Sequence, residues 1–88
     1  MLLEIKAAEY IDDYRIFLEF NDGYKAAVDL KEVLQNEQRK IFEPLKNPHY
    51  FKRFSLRFNT ICWQNDVDFA PEFLYDLAKK QQSTNVSA

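Results

Sequence analysis

The chain has 88 residues, of which 16% are aromatic and 30% are charged, and its formal net charge is −2. This length fits one small domain, and the aromatic content favours a packed core over a disordered chain. No apolar run approaches the roughly 20 residues of a membrane-spanning helix, and a single cysteine excludes an internal disulfide, so we expect a cytoplasmic protein.

The chain begins with a predicted strand over residues 2–8. Leu3, Ile5 and Ala7 alternate with Glu4 and Lys6, which is the period of a half-buried strand. The same two charges interrupt the apolar run that a signal peptide would need. The acidic pair at 12–13 then predicts a turn.

Residues 14–30 have the pattern of a β-hairpin, with one apolar face on each side of a turn (Tyr14, Ile16, Leu18 and Phe20, then Tyr24, Ala26, Val28 and Leu30). A two-residue turn, Asp22-Gly23, would place the core face of one strand opposite the solvent face of the other. A three-residue turn over 21–23 brings both apolar faces to the same side, and we therefore predict it. Gly23, the single glycine, supplies the positive φ that such a turn requires.

A short helix is predicted after this hairpin. Asp29 precedes a run with apolar residues at Leu30, Val33 and Leu34, and Glu32 follows it by three positions. This spacing predicts Asp29 as the N-cap and Glu32 as its capping-box partner. The three apolar side chains would then face the core.

The middle of the chain is basic. Residues 38–57 carry six basic side chains and one acidic side chain, whereas residues 1–37 have a net charge of −5. Two helical turns are predicted here, the second opened by Pro48. The segment supplies a candidate interaction surface of Lys46, His49, Lys52, Arg53 and Arg57. The competing interpretation is an ordinary solvated surface that the acidic segment neutralises.

Aromatic residues interleave with these cations, a pattern that also occurs in nucleic-acid-binding segments (Phe42, Tyr50, Phe51 and Phe54). The helical spacing of Phe51 and Phe54 is, however, typical of core contacts. The sequence pI of about 5.3 is also low for a dedicated nucleic-acid binder.

The last third predicts a second hairpin followed by a helix. With a tight loop at Asn59-Thr60, Leu56 and Phe58 would face Ile61 and Trp63. Residues 64–66 predict a turn, and residues 67–69 a short extended piece.

The final helix is predicted to begin at Pro71 and to bury the stripe Phe73, Leu74, Leu77 and Ala78. Trp63 would fill the core against Leu56 and the Phe73/Leu77 stripe. The domain would thus span 1–80, with a disordered polar tail at 81–88. The predicted fold is α+β: a small antiparallel sheet of hairpins packed with a short middle helix and a C-terminal helix.

No set of residues predicts an enzyme, a cofactor or a metal site. Cys62 and His49 are too few for zinc, and Cys62 lies within a predicted strand, where a nucleophile would be inaccessible. Asp66 and Asp68 could act as an acid–base pair. In the simpler interpretation, Asp66 shapes the turn and Asp68 caps the final helix.

The order of several short motifs resembles a bacterial family, domain-of-unknown-function family 2442. The residues that carry the resemblance span about 2–78 and are Phe20-Asn21-Asp22-Gly23, Val28-Asp29-Leu30, Phe42-Glu43-Pro44-Leu45, Phe51, Trp63, Asp68, Pro71 and Leu74-Tyr75. Asp66 departs from the family pattern, in which Gly is common. The local patterns described above predict structural roles for Gly23, Asp29, Trp63, Asp68 and Pro71.

The resemblance also implies a small α+β domain, sometimes fused to a helix-turn-helix and often encoded beside another small protein in a toxin–antitoxin-like pair. No catalytic residue is established for the family. We therefore expect a protein–protein interaction or regulatory module, an antitoxin-like half of such a pair. A nucleic-acid-associated regulatory binder that uses segment 38–57 is the alternative, and the oligomeric state is left open.

Overall fold

The computed structural model describes residues 2–86, with side chains described as far as residue 82. The strands are β1 (Ile5–Asp12), β2 (Arg15–Phe20), β3 (Lys25–Asp29), β4 (Ser55–Arg57) and β5 (Thr60–Cys62). The helices are α1 (Lys31–Asn36), a 3₁₀ helix (Lys40–Lys46), α2 (Pro48–Phe51) and α3 (Pro71–Val86). Strands β1, β2 and β3 form one antiparallel sheet in that order, and β4 pairs with β5. The predicted α+β fold is confirmed.

The β2–β3 hairpin has the predicted register. Leu18 lies opposite Ala26 and Ile16 opposite Val28, and the backbone N–H of Phe20 donates to Tyr24 across the turn at 2.9 Å. Gly23 has φ +92°, a conformation that side chains with a Cβ rarely adopt. The loop therefore contains three residues, and one face of each strand reaches the core.

The first strand differs from the prediction over 2–8. It starts at Ile5 and shifts register between Ile5 and Ala7. Because such a bulge moves the following side chains to the other face, Ala7 is exposed, whereas Ala8 and Tyr10 pack against the core. Simple alternation could not reveal this extra residue.

The core lies between the inner face of the three-stranded sheet and the remaining elements. Helix α1 and the 3₁₀ helix contribute Leu34, Phe42 and Leu45, and α3 contributes Leu74. Leu30 is buried and Val33 partly buried, as predicted. The predicted α3 stripe needs one correction: Phe73 is 43% exposed, while Leu74 and Ala78 are buried.

The capping box at α1 is replaced by a contact with α3. Leu30, rather than Asp29, is the N-cap residue, and it makes no side-chain cap hydrogen bond. The Asp29 carboxylate accepts from the backbone N–H of Lys31 at 3.0 Å. The backbone N–H of Asp29 donates to the Gln81 side chain, whereas the predicted capping box would have it donate to the Glu32 side chain. The Gln81 amide also donates to the Asp29 carbonyl at 2.9 Å. The predicted boundary at residue 80 therefore falls inside α3, and of the predicted tail, residues 87 and 88 lie outside the described residues.

Trp63 belongs to the core and is 1% exposed. Its ring contacts Phe51, Phe54 and Phe69 at centroid distances of 5.6, 6.2 and 5.8 Å, and its indole N–H donates to the Phe51 carbonyl at 2.8 Å. The predicted burial is correct, but the aromatic neighbours come from α2, the turn after it and the segment that leads into α3. Leu56, which we expected to cover the ring, is 42% exposed.

The second hairpin turns one residue earlier than predicted. The turn consists of Phe58 and Asn59, with φ +54° and +68°, and Arg57 pairs with Thr60. A β-branched residue is strongly disfavoured at positive φ, so Thr60 enters β5 and is buried, with its hydroxyl donating to the Phe69 carbonyl. Leu56 consequently lies opposite Ile61, not opposite Trp63.

A polar and aromatic cluster joins α3 to the turn of the β2–β3 hairpin. The Tyr75 hydroxyl donates to the Asp22 carboxylate at 2.7 Å, and the Tyr75 ring packs edge-on against Phe20. The Lys79 ammonium lies 4.2 Å from the centre of the Tyr24 ring. The Tyr24 backbone N–H and then the Tyr75 hydroxyl lower the pKa of Asp22, and the same carboxylate raises the pKa of Tyr75.

We expect Tyr75→Phe to raise the pKa of Asp22 part of the way to its ordinary value, since the Tyr24 N–H bond remains. A carboxyl group whose pKa is lower in the folded state stabilises the fold at pH values above its unfolded-state pKa. This contribution is lost as the pH falls through the folded-state pKa. The variant should therefore lose less stability than the wild type on acidification. NMR titration of the Asp22 carboxyl carbon measures the shift. Tyr24→Phe, which keeps the backbone N–H, is the control, and an unshifted Asp22 in Tyr75→Phe contradicts the assignment.

No helix in the described part of the chain is both long and apolar enough to cross a bilayer.

Candidate functional site

Helix α2 and the turn that follows it present His49, Lys52 and Arg53 to solvent. The Asn47 side chain accepts from the backbone N–H of His49 and thereby starts the turn. Phe51 points into the core, whereas His49, Lys52 and Arg53 are exposed. Their spacing of three and four positions places these three side chains on one face of the turn.

The β4–β5 hairpin continues this basic surface and adds apolar groups. All three residues of β4 are exposed, and Phe58 at the turn is 76% exposed. The Arg57 guanidinium lies 5.3 Å from the centre of the Phe58 ring. We define the hairpin surface as Lys52, Arg53, Leu56, Arg57 and Phe58, which fall within seven consecutive positions.

The cations of the hairpin surface have no acidic partner among the described residues. The ion pairs found there involve Arg15, Lys31, Arg39 and Lys46. Lys52, Arg53 and Arg57 therefore face solvent, next to the exposed Leu56. The surface combines unpaired positive charge with exposed apolar area.

Lys46 differs from the other members of the predicted interaction surface. Its ammonium pairs with Glu43 at 3.1 Å and also donates to the Glu37 carbonyl. The Lys46 carbonyl accepts from the Tyr14 hydroxyl, a bond that joins the 3₁₀ helix to the sheet. Lys46 thus holds two elements together, and the structure separates it from the unpaired cations.

The aromatic residues interleaved with the cations are mostly in the core. Phe42 and Phe51 are buried, and Tyr50 and Phe54 are partly buried against the core cluster. Ring stacking with bases requires exposed faces. Within segment 38–57 the rings therefore make the core contacts that their helical spacing indicated, and the exposed ring of Phe58 lies just beyond the segment. Sequence reasoning placed Phe58 inside, because alternation alone does not identify a turn residue.

A second apolar feature is a groove of about 540 Å³ between α1, the 3₁₀ helix and the start of α3. Phe73 stacks on Phe69 at 5.7 Å, and the Arg39 guanidinium lies 4.7 Å from the centre of the Phe42 ring. Arg39 also pairs with Glu37 at 2.9 Å, and its hydrogen bonds lower the pKa of Glu37 to about 2. The groove is thus apolar at its base, and the charge of Arg39 at its rim is already paired with Glu37.

The residues considered for chemistry are not assembled into a site. Cys62 is buried while His49 is exposed, so the environment required of a cysteine nucleophile is missing. Asp66 has φ +66° and shapes its turn, and Asp68 bridges Cys62 through its backbone; both side chains are exposed. In the described part of the chain no three His, Cys, Asp or Glu residues are grouped as a metal site requires.

Comparison with known proteins supports the fold and the family. The crystal structure of Putative DNA Binding Protein NE0471 from Nitrosomonas europaea ATCC 19718 superposes with a TM-score of 0.78 at 21% identity. The match covers 94% of this chain and 53% of that one, so our chain spans about half of its length. No curated protein matches. The model of a family described as "Protein of unknown function (DUF2442)" matches residues 5–80. The chain therefore belongs to the DUF2442 family of proteins of unknown function.

Proposed function

We propose that the chain is a cytoplasmic protein-binding module, not an enzyme, and that it serves as the antitoxin-like or regulatory half of a two-protein system. Its partner is a second small protein encoded nearby. The observation that carries the proposal is the hairpin surface, where the exposed Leu56 and Phe58 lie beside three cations that have no acidic partner among the residues the structure describes. Exposed aromatic and Arg side chains are enriched at the centres of protein interfaces.

The composition of the surface favours a protein partner over a nucleic acid. Nucleic-acid binding depends on many phosphate contacts, whereas this protein has a net charge of −2 and only a few clustered cations. Leu56 adds aliphatic area, which suits an apolar protein surface better than a phosphate backbone.

A nucleic-acid-binding role through segment 38–57 is the second candidate. The unpaired cations and the name of the structural neighbour from Nitrosomonas europaea support it. The neighbour is about twice as long as the matched region, so its DNA-binding description need not refer to the half that resembles this chain.

We expect the double substitution Lys52→Glu and Arg53→Glu to weaken the complex with the neighbouring gene product by about tenfold, because complementary charges steer association. Co-expression and co-purification test for the complex, and titration at low and high salt measures the change. The double substitution Lys6→Glu and Lys25→Glu is the matched control, since both lysines are exposed and lie on β1 and β3, outside the hairpin surface.

Two outcomes would contradict the proposal. Absence of a complex between the wild-type chain and the neighbouring gene product removes the two-protein system. Binding of short single- or double-stranded oligonucleotides that is salt-dependent and lost in Lys52→Glu/Arg53→Glu, without any protein complex, favours the second candidate instead.

A further inference from the structure

Phe58 occupies a backbone position that suits its side chain poorly. The turn of the β4–β5 hairpin has positive φ at both central residues, Phe58 and Asn59. Two-residue hairpin turns of this kind strongly prefer Asn, Asp or Gly, and a bulky residue at positive φ is an outlier. Asn59 fits this preference and Phe58 does not. Because 76% of the ring is exposed, its burial within this chain stabilises the fold too little to offset the unfavourable positive φ of Phe58.

The turn that carries Phe58 is nevertheless firmly held. The Asn59 carbonyl accepts from the Ile5 N–H at 2.9 Å, which joins the turn to β1. Thr60, the next residue, is buried and bonded to the Phe69 carbonyl. The Arg57 guanidinium lies over one side of the ring. Because the backbone that carries the ring is already held, binding orders less of the chain than it would in a mobile loop, which is the benefit of preorganisation.

From this geometry we propose that Phe58 is the anchor of the interface, inserting into an apolar pocket with an acidic rim on the partner protein. The inference rests on the proposed protein-binding function and adds the chemistry of the partner. The ring requires an apolar cavity, Leu56 extends the apolar contact, and Arg57, Lys52 and Arg53 provide the positive charge that a rim of Asp and Glu complements.

The first test separates the anchor from the fold. Phe58→Asn removes the ring and places a residue that tolerates positive φ in the turn, so the melting temperature should rise by several degrees. Asn59→Gly relaxes the same turn but keeps the ring, and it is the matched control. Thermal melts followed by circular dichroism measure both. A Phe58→Asn protein that melts below the wild type shows that the ring supports the fold, and it overturns the proposal.

The second test identifies the partner chemistry. A random-peptide display library is selected against the full wild-type chain. We expect enriched peptides that combine apolar residues with Asp and Glu, bind Phe58→Asn at least about tenfold more weakly, and bind Asn59→Gly unchanged.

Peptides that bind wild type and Phe58→Asn equally, or that lack acidic residues, overturn the anchor while leaving the protein-binding function intact. If neither the peptides nor the neighbouring gene product binds the wild type, the proposed function and the anchor both fail. Binding to short oligonucleotides that depends on Phe58 overturns the protein pocket and assigns the ring to base stacking.

Discussion

Trp63→Ala is expected to remove most of the stability of the isolated domain. The ring is 1% exposed, contacts three other aromatic rings and donates its indole N–H to the Phe51 carbonyl. Loss of a buried Trp costs about 3–5 kcal/mol through lost burial and the cavity left behind. The free energy of unfolding of so small a domain is on the order of 5 kcal/mol, so the variant should retain at most about 2 kcal/mol of stability at 25 °C.

Far-UV circular dichroism during thermal and urea denaturation measures this effect. Trp63→Phe retains an aromatic ring but not the hydrogen bond to Phe51, and it should lie between the wild type and the Ala variant. Phe58→Ala removes a ring that is 76% exposed and should leave the transition cooperative. A Trp63→Ala protein with an unchanged melting temperature would show that the ring does not support the core.

Thr60→Val has the second largest expected effect on stability. The two side chains have nearly the same shape, but Val cannot donate to the Phe69 carbonyl, which accepts from the buried Thr60 hydroxyl. A buried acceptor left without its donor costs about 1–3 kcal/mol. The bond also links β5 to the segment that leads into α3. In Thr60→Val the backbone amides of both parts should therefore exchange their hydrogens faster with solvent.

Urea midpoints give the change in the free energy of unfolding, and amide hydrogen exchange locates it. Thr60→Ser keeps the hydroxyl and is the control; it should lose less stability than Thr60→Val. A Thr60→Val protein as stable as the wild type would show that the bond from the Thr60 hydroxyl to the Phe69 carbonyl does not support the fold.

The parts of the fold that follow local rules could be predicted from the sequence. Alternating apolar residues and a single glycine determined the register of the β2–β3 hairpin, because a shift of one residue would expose its whole core face. Pro71 indicated where α3 begins. The bulge in β1 and the Gln81–Asp29 contact could not be predicted, since each depends on tertiary packing between segments distant in sequence.

Of the residues in the candidate site, only the charged ones could be predicted from the sequence. Lys52, Arg53 and Arg57 stand out in a basic segment, and their exposure follows from ordinary solvation. Phe58 was missed because apolar alternation assigns it to the core. The available signal was the β-branched Thr60, which is a poor turn residue and favours a turn at 58–59.

The contact between Gln81 and Asp29 closes part of the open edge of the three-stranded sheet. Among the described residues β3 pairs with β2 alone, so its outer backbone groups could template the strand of another molecule. The Gln81 side chain accepts from the Asp29 N–H and donates to its carbonyl, just as a peptide unit of a neighbouring strand would. A side-chain amide thus imitates one residue of a fourth strand, and α3 makes the backbone groups of Asp29 unavailable to a strand of another molecule.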